Sequence, residues 1–184
     1  MFIQTENTPN PATLKFIPEE REIAGKNPVE FKNSTQAQDQ SILAQQLFLI
    51  VGVESVFLGK DFVTITKKED NSWEDIKTEI LATIMDFILS GKPAVNEVKD
   101  LDDDSEDSEI VKQIKELIEI KVRPAVAMDG GDIIYRGFED GIVKLELKGS
   151  CSGCPSSTIT LKSGIENMLK HYIPEVESVE QFEE

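Results

Sequence analysis

A block of acid in the middle of the chain decides how it can fold. Residues 93–109 hold one lysine and eight acidic side chains, concentrated in Asp100-Leu101-Asp102-Asp103-Asp104-Ser105-Glu106-Asp107. Like charges at that density repel one another, stay hydrated and extend the backbone. Such a segment does not enter a core. The 184-residue chain is therefore expected to divide into two small domains, 1–92 and 109–184, joined by an acidic linker at 93–108. Each piece still has apolar residues to bury, since these make up 39% of the chain. The net charge of −16 argues against a nucleic-acid partner, because an acidic surface repels phosphate. The longest apolar runs, such as Leu47 to Val51, are too short for a bilayer, so no membrane partner is expected.

The first piece reads as mixed α/β. Extended stretches at Phe2–Thr5 and Thr13–Ile17 flank Thr8-Pro9-Asn10-Pro11, a turn by composition. A helix is expected over Gln36–Val51, with Leu43, Leu47 and Ile50 on one face. Ser55–Leu58 and Phe62–Thr66 are β-rich runs around Gly59-Lys60-Asp61, the pattern of a hairpin. Ser72 is placed to cap a helix whose Ile76, Ile80, Thr83, Ile84 and Phe87 fall on one stripe, stopped by Gly91 and Pro93.

The second piece reads as helix, hairpin, helix, strand, which makes the whole chain α+β. Ile110, Ile114, Leu117 and Ile118 line a helical face that is expected to end at Arg123-Pro124. Asp129-Gly130-Gly131-Asp132 forms a turn. Ile133–Phe138 and Ile142–Leu147 are strands joined by Asp140-Gly141, a two-residue hairpin signal. A helix follows from Pro155 to Tyr172, with Leu161, Ile165, Met168, Leu169 and Tyr172 as its apolar stripe. A last strand is expected within Val176–Phe182.

Both cysteines of the chain, Cys151 and Cys154, fall between the second hairpin strand and the helix opened by Pro155. A helix start offers unsatisfied N–H groups and a positive dipole end, which favour thiolate over thiol. Two sulfurs are half of a four-coordinate shell, whether for zinc or for an iron–sulfur cluster. The lone His171 comes seventeen residues after Cys154, about 25 Å along the helix, too far to share the site. A full thiolate shell is therefore expected to need two chains. That arrangement predicts an open site at a dimer edge, suited to giving its cargo away. Ligand chemistry alone leaves iron and zinc open, and a dithiol oxidoreductase or a zinc-stapled interaction module remain as alternatives. Asp129 and Asp132 are read as turn and cap residues rather than an acid–base pair, and no catalytic grouping is visible, so the chain is not expected to be an enzyme.

Arg123-Pro124…Asp129-Gly130-Gly131-Asp132, the hairpin, and then Cys151-Ser152-Gly153-Cys154-Pro155-Ser156-Ser157-Thr158-Ile159-Thr160-Leu161-Lys162 resemble the C-terminal domain of the NifU-type (Nfu) iron–sulfur proteins. The opening Thr5-Glu6-Asn7-Thr8-Pro9-Asn10-Pro11-Ala12-Thr13-Leu14-Lys15-Phe16 is similar to that family's N-terminal domain. The resemblance implies a carrier that receives a 4Fe-4S cluster and passes it to apo iron–sulfur proteins. It implies Cys151 and Cys154 as ligands bridging two subunits of a homodimer, and an upstream cluster-assembly scaffold as donor. Met1-Phe2-Ile3-Gln4-Thr5-Glu6 lacks the basic and apolar features of a targeting signal. The expected compartment is a bacterial cytoplasm, or the mitochondrial matrix if the chain is a trimmed precursor.

Overall fold

The structure is a computed structural model that describes residues 2–19, 22–25, 28–96, 107–152 and 155–182, without the side chains of 155–157. The centre of the acidic segment, residues 97–106, lies outside the described residues, as do Gly153 and Cys154. The chain separates into two compact units, Met1–Lys99 and Asp100–Glu184. Both mix helices with strands, the α+β class expected.

Unit 1 is a five-stranded sheet. Its strands are β1 (Ile3–Asn7), β2 (Thr13–Pro18), β3 (Val29–Phe31), β4 (Val53–Leu58) and β5 (Val63–Lys67), in the order β1-β2-β5-β4-β3. Every neighbouring pair is antiparallel. Leu14, Phe16, Val56, Leu58, Val63 and Ile65 alternate onto one buried face, as a period-two pattern requires. Helix α3 (Trp73–Leu89) meets them with Ile76, Ile80, Ile84, Phe87 and Ile88. Ser72 caps α3 as expected, accepting from the Glu74 N–H at 3.2 Å.

The helix expected over Gln36–Val51 is two short helices, α1 (Ser34–Ala37) and α2 (Ile42–Phe48). Asp39 between them has φ 65°, which no continuous right-handed helix tolerates. Ser41 supplies the reason for the restart. Its hydroxyl accepts from the Ala44 N–H at 3.0 Å and donates to the Ala94 carbonyl at 2.5 Å. A local cap thus outcompetes the next helical turn. Leu43, Leu47 and Ile50 are nonetheless buried together.

Unit 2 begins with α4 (Glu109–Leu117), capped by Ser108. The chain does not stop at Arg123-Pro124. It widens into a π-helical segment, Ile118–Val122, and continues as α5 (Arg123–Met128). The Arg123 N–H reaches back five residues to the Ile118 carbonyl. This wide turn makes room for the Pro124 ring, which in a regular helix collides with the carbonyl four residues earlier. It also keeps Ile114, Ile118, Val122 and Val126 buried on one side. Their strict four-residue spacing would drift by about 40° per step around an ordinary helix.

The sheet of unit 2 has the order β6-β7-β8, formed by β6 (Gly131–Glu139), β7 (Ile142–Gly149) and β8 (Ser178–Gln181). β6 and β7 are an antiparallel hairpin, and β8 returns parallel to β7 after α6 (Pro155–Tyr172). Asp140 and Gly141, both at positive φ (51° and 79°), make the two-residue turn. Val143, Leu145 and Leu147 face the core and meet Ile165 and Leu169 of α6. Tyr172, expected on that stripe, is half exposed, and Ile173 is buried in its place.

Candidate metal centre

The site is built where β7 runs out. Gly149 has φ 69°, which turns the chain back, and it pairs across the sheet with Gly131. The turn that follows, Ser150-Cys151-Ser152, is held from both sides. On one side the Ser150 hydroxyl donates to the Asp129 carbonyl, and the Ser150 N–H donates to the Gly130 carbonyl at 3.3 Å. On the other, the Thr158 hydroxyl of α6 donates to the Cys151 carbonyl at 3.3 Å. Ser152 closes the turn onto the Gly149 carbonyl, through its N–H at 3.1 Å and its hydroxyl at 2.9 Å.

Cys151 is not open to solvent. It is 6% exposed and belongs to the hydrophobic core of unit 2. The open site expected from both sulfurs of two chains is a different arrangement from this one, in which the Cys151 sulfur of a single chain is packed inward. The cause lies opposite: a β-carbon placed on Gly131 would lie 2.8 Å from Cys151 Sγ and 2.7 Å from the Lys148 carbonyl oxygen. The missing side chain of Gly131 is the space the sulfur fills. The Ser150 hydroxyl stands 3.9 Å from Cys151 Sγ. Cys154, the second expected ligand, is one of the residues outside the description, as is any donation from Ser156 or Ser157.

Asp129 and Asp132 do not form a pair. Asp129 is exposed and contributes its carbonyl to Ser150. Asp132 is 4% exposed and faces Arg123, whose Nε and Nη2 donate to the two carboxylate oxygens at 2.9 and 2.8 Å. The Ile133 N–H also donates to Asp132, at 2.8 Å. Arg123 is held a second time by Glu119, at 2.7 Å. The hydrogen bond to Asp132 is the main cause that raises the Arg123 pKa above its ordinary value, against the opposing cost of burial. Sequence reading missed this ion pair, although the residues stand together in the run that carries the family resemblance.

His171 is exposed near the far end of α6, with its ring edge-on to Tyr172 at 5.0 Å. Among the described residues, no cluster of three or more His, Cys, Asp or Glu side chains is arranged to hold a metal ion. No helix among them is long and apolar enough to cross a membrane.

Residues 3–91 match the family described as "Scaffold protein Nfu/NifU N terminal", and residues 114–180 match the "NifU-like domain". The human protein named "NFU1 iron-sulfur cluster scaffold homolog, mitochondrial" is 54% identical over 188 residues, which cover 98% of this chain and 72% of that protein. The Drosophila sechellia protein of the same name is 51% identical over 184 residues, covering 98% of this chain and 65% of that protein. A solution structure of a NifU-like protein from Saccharomyces cerevisiae matches 53% of this chain and 87% of its own, at 33% identity and a TM-score of 0.49.

Proposed function

The chain belongs to the Nfu/NifU scaffold family, and from that premise we propose that it is a carrier of 4Fe-4S clusters, held as cargo between two copies of itself. The observation that carries this reading is the donor count at one turn. Cys151 and Cys154 are the only thiols in the chain, and in sequence both stand just before the Pro155 that opens α6. Two thiolates complete half of a cluster's ligation. The other half comes from Cys151 and Cys154 of a second copy.

Hand-over proceeds by ligand exchange. An acceptor thiolate forms a bond to a cluster iron as the bond to a carrier thiolate breaks, so no electron changes place and no free iron is released. The acceptors are apo iron–sulfur proteins, and the donor is an upstream assembly scaffold. The division of labour follows the two domains, 1–92 and 109–184, with the cysteines in the second. Nothing in this scheme requires catalysis by the chain. Of the two compartments open to it, the mitochondrial one is supported by the names of its relatives.

Anaerobic reconstitution with iron and sulfide tests the proposal. A brown product with about two iron and two sulfide per chain is expected, the share of one 4Fe-4S cluster divided between two copies. A colourless, iron-free product overturns it. So does zinc without sulfide in protein isolated under anaerobic conditions, which identifies a zinc-stapled module. Turnover of a disulfide substrate that survives chelation identifies a dithiol oxidoreductase.

A further inference from the structure

The sulfur of Cys151 is packed away, yet a carrier must present it. Hydrogen bonds of its own turn hold the Cys151 backbone, and an ion pair stands one residue beyond the glycine that lies against its sulfur. Gly131 forms the wall against Cys151 Sγ, and the next residue, Asp132, is the anchor of that wall. The Asp132 carboxylate is fixed by three donors: Arg123 Nε, Arg123 Nη2 and the Ile133 N–H. Arg123 itself sits at the first position after the π-helical segment and is braced by Glu119 from within that segment. The wide turn thus ends in a bidentate fork aimed at the first residues of β6. π-bulges of this kind recur at functional sites, and planar bidentate pairs give geometric specificity as well as strength.

We propose that Arg123 and Asp132 are positioning residues that hold Cys151 in its buried place and set how readily its sulfur becomes available. Intact, the clamp keeps the Gly131 wall closed over the thiol. Loosened, β6 can part from the Ser150-Cys151-Ser152 turn at its start, where Gly131 faces Gly149 and Ser150 is tied to the Asp129 and Gly130 carbonyls just before the strand. The importance of this for cargo hand-over rests on the reading of Cys151 as a ligand. The clamp's effect on the thiol does not.

Alkylation of the ligand-free full chain by iodoacetamide tests the proposal, with the rate at Cys151 separated from that at Cys154 by fragment-ion mass spectrometry. Asp132→Asn is expected to speed Cys151 alkylation about tenfold, the size expected when a charge-assisted hydrogen bond no longer favours the closed form. Arg123→Lys keeps the charge but loses the fork, and is expected to speed it less. Leu169→Val trims the same core away from the clamp. At a matched loss of thermal stability it is expected to leave the rate near that of the unaltered chain. Equal rates in Asp132→Asn and the unaltered chain overturn the proposal. Equal acceleration in Leu169→Val overturns it too, by reducing the clamp to general stability. The measurement needs no cluster, so a chain that fails to load iron defeats the carrier reading and leaves this test decisive.

Discussion

Cys151→Ser is expected to abolish cluster loading, with iron per chain falling by more than about tenfold, and Cys154→Ser is expected to do the same. Loss of a group that merely orients a ligand already costs about 10–100-fold in metal affinity. Loss of the ligand itself costs more, because a serine hydroxyl does not ionise near neutral pH and offers a hard oxygen to iron that favours sulfur. In a shared site each substitution removes two of the four ligands at once. The fold is expected to survive, since serine is close to cysteine in volume. Its hydroxyl must, however, find a partner beside Gly131, and burying it without one costs about 1–3 kcal/mol. Iron and sulfide analysis after anaerobic reconstitution, alongside thermal unfolding, separates the two effects. A variant that unfolds normally and retains a full load shows that Cys151 is not a ligand.

Phe16→Ala is expected to destabilise unit 1 by about 3–5 kcal/mol while leaving cluster loading at the level of the unaltered chain. Phe16 is fully buried, in the centre of β2, where its ring lies in the core shared with α3. Removing it leaves a cavity between sheet and helix that the antiparallel ladders on both sides of β2 prevent from collapsing. Cys151 belongs to a separate core, built from α4, the π-helical segment, α5, α6 and the three-stranded sheet. Calorimetry should show one transition moved to lower temperature and a second unmoved. Loading that falls in step with the loss in unit 1 contradicts a division of labour between the two units.

Much of the fold was legible because its signals are local. The helix at Pro155–Tyr172 is read correctly from a proline start and a stripe of period 3.6, and the hairpin from two strand-like runs joined by Asp140-Gly141. Two local signals misled. Gln36–Val51 has helical periodicity, but the Ser41 cap and the positive φ of Asp39 break it in two. Arg123-Pro124 reads as a stop, and the chain instead absorbs the proline in a π turn. The clue was present in Ile114, Ile118, Val122 and Val126, whose spacing of exact fours fits a wider turn than the α-helix. Strand β3, three residues long, leaves too few side chains for alternation to show. The placement of β5 between β2 and β4 depends on pairings distant in sequence, which no local pattern carries.

The site divides in the same way. Cys151 as a candidate ligand is read from its spacing to Cys154 and its seat between a strand and a helix, and only that seat is visible in the fold. Its burial is not read this way, because that depends on the register that sets Gly131 opposite Gly149. The clamp was hidden for a related reason. Arg123 and Asp132 are nine residues apart in sequence, and only the π turn and the reversal at Gly130, whose φ is 81°, bring them face to face.

Native mass spectrometry of the anaerobically loaded full chain tests the sharing of one cargo between two copies most directly. Two chains carrying a single four-iron, four-sulfur unit, reverting to single chains when iron is stripped, is the predicted result. One chain carrying a complete cluster by itself would contradict it.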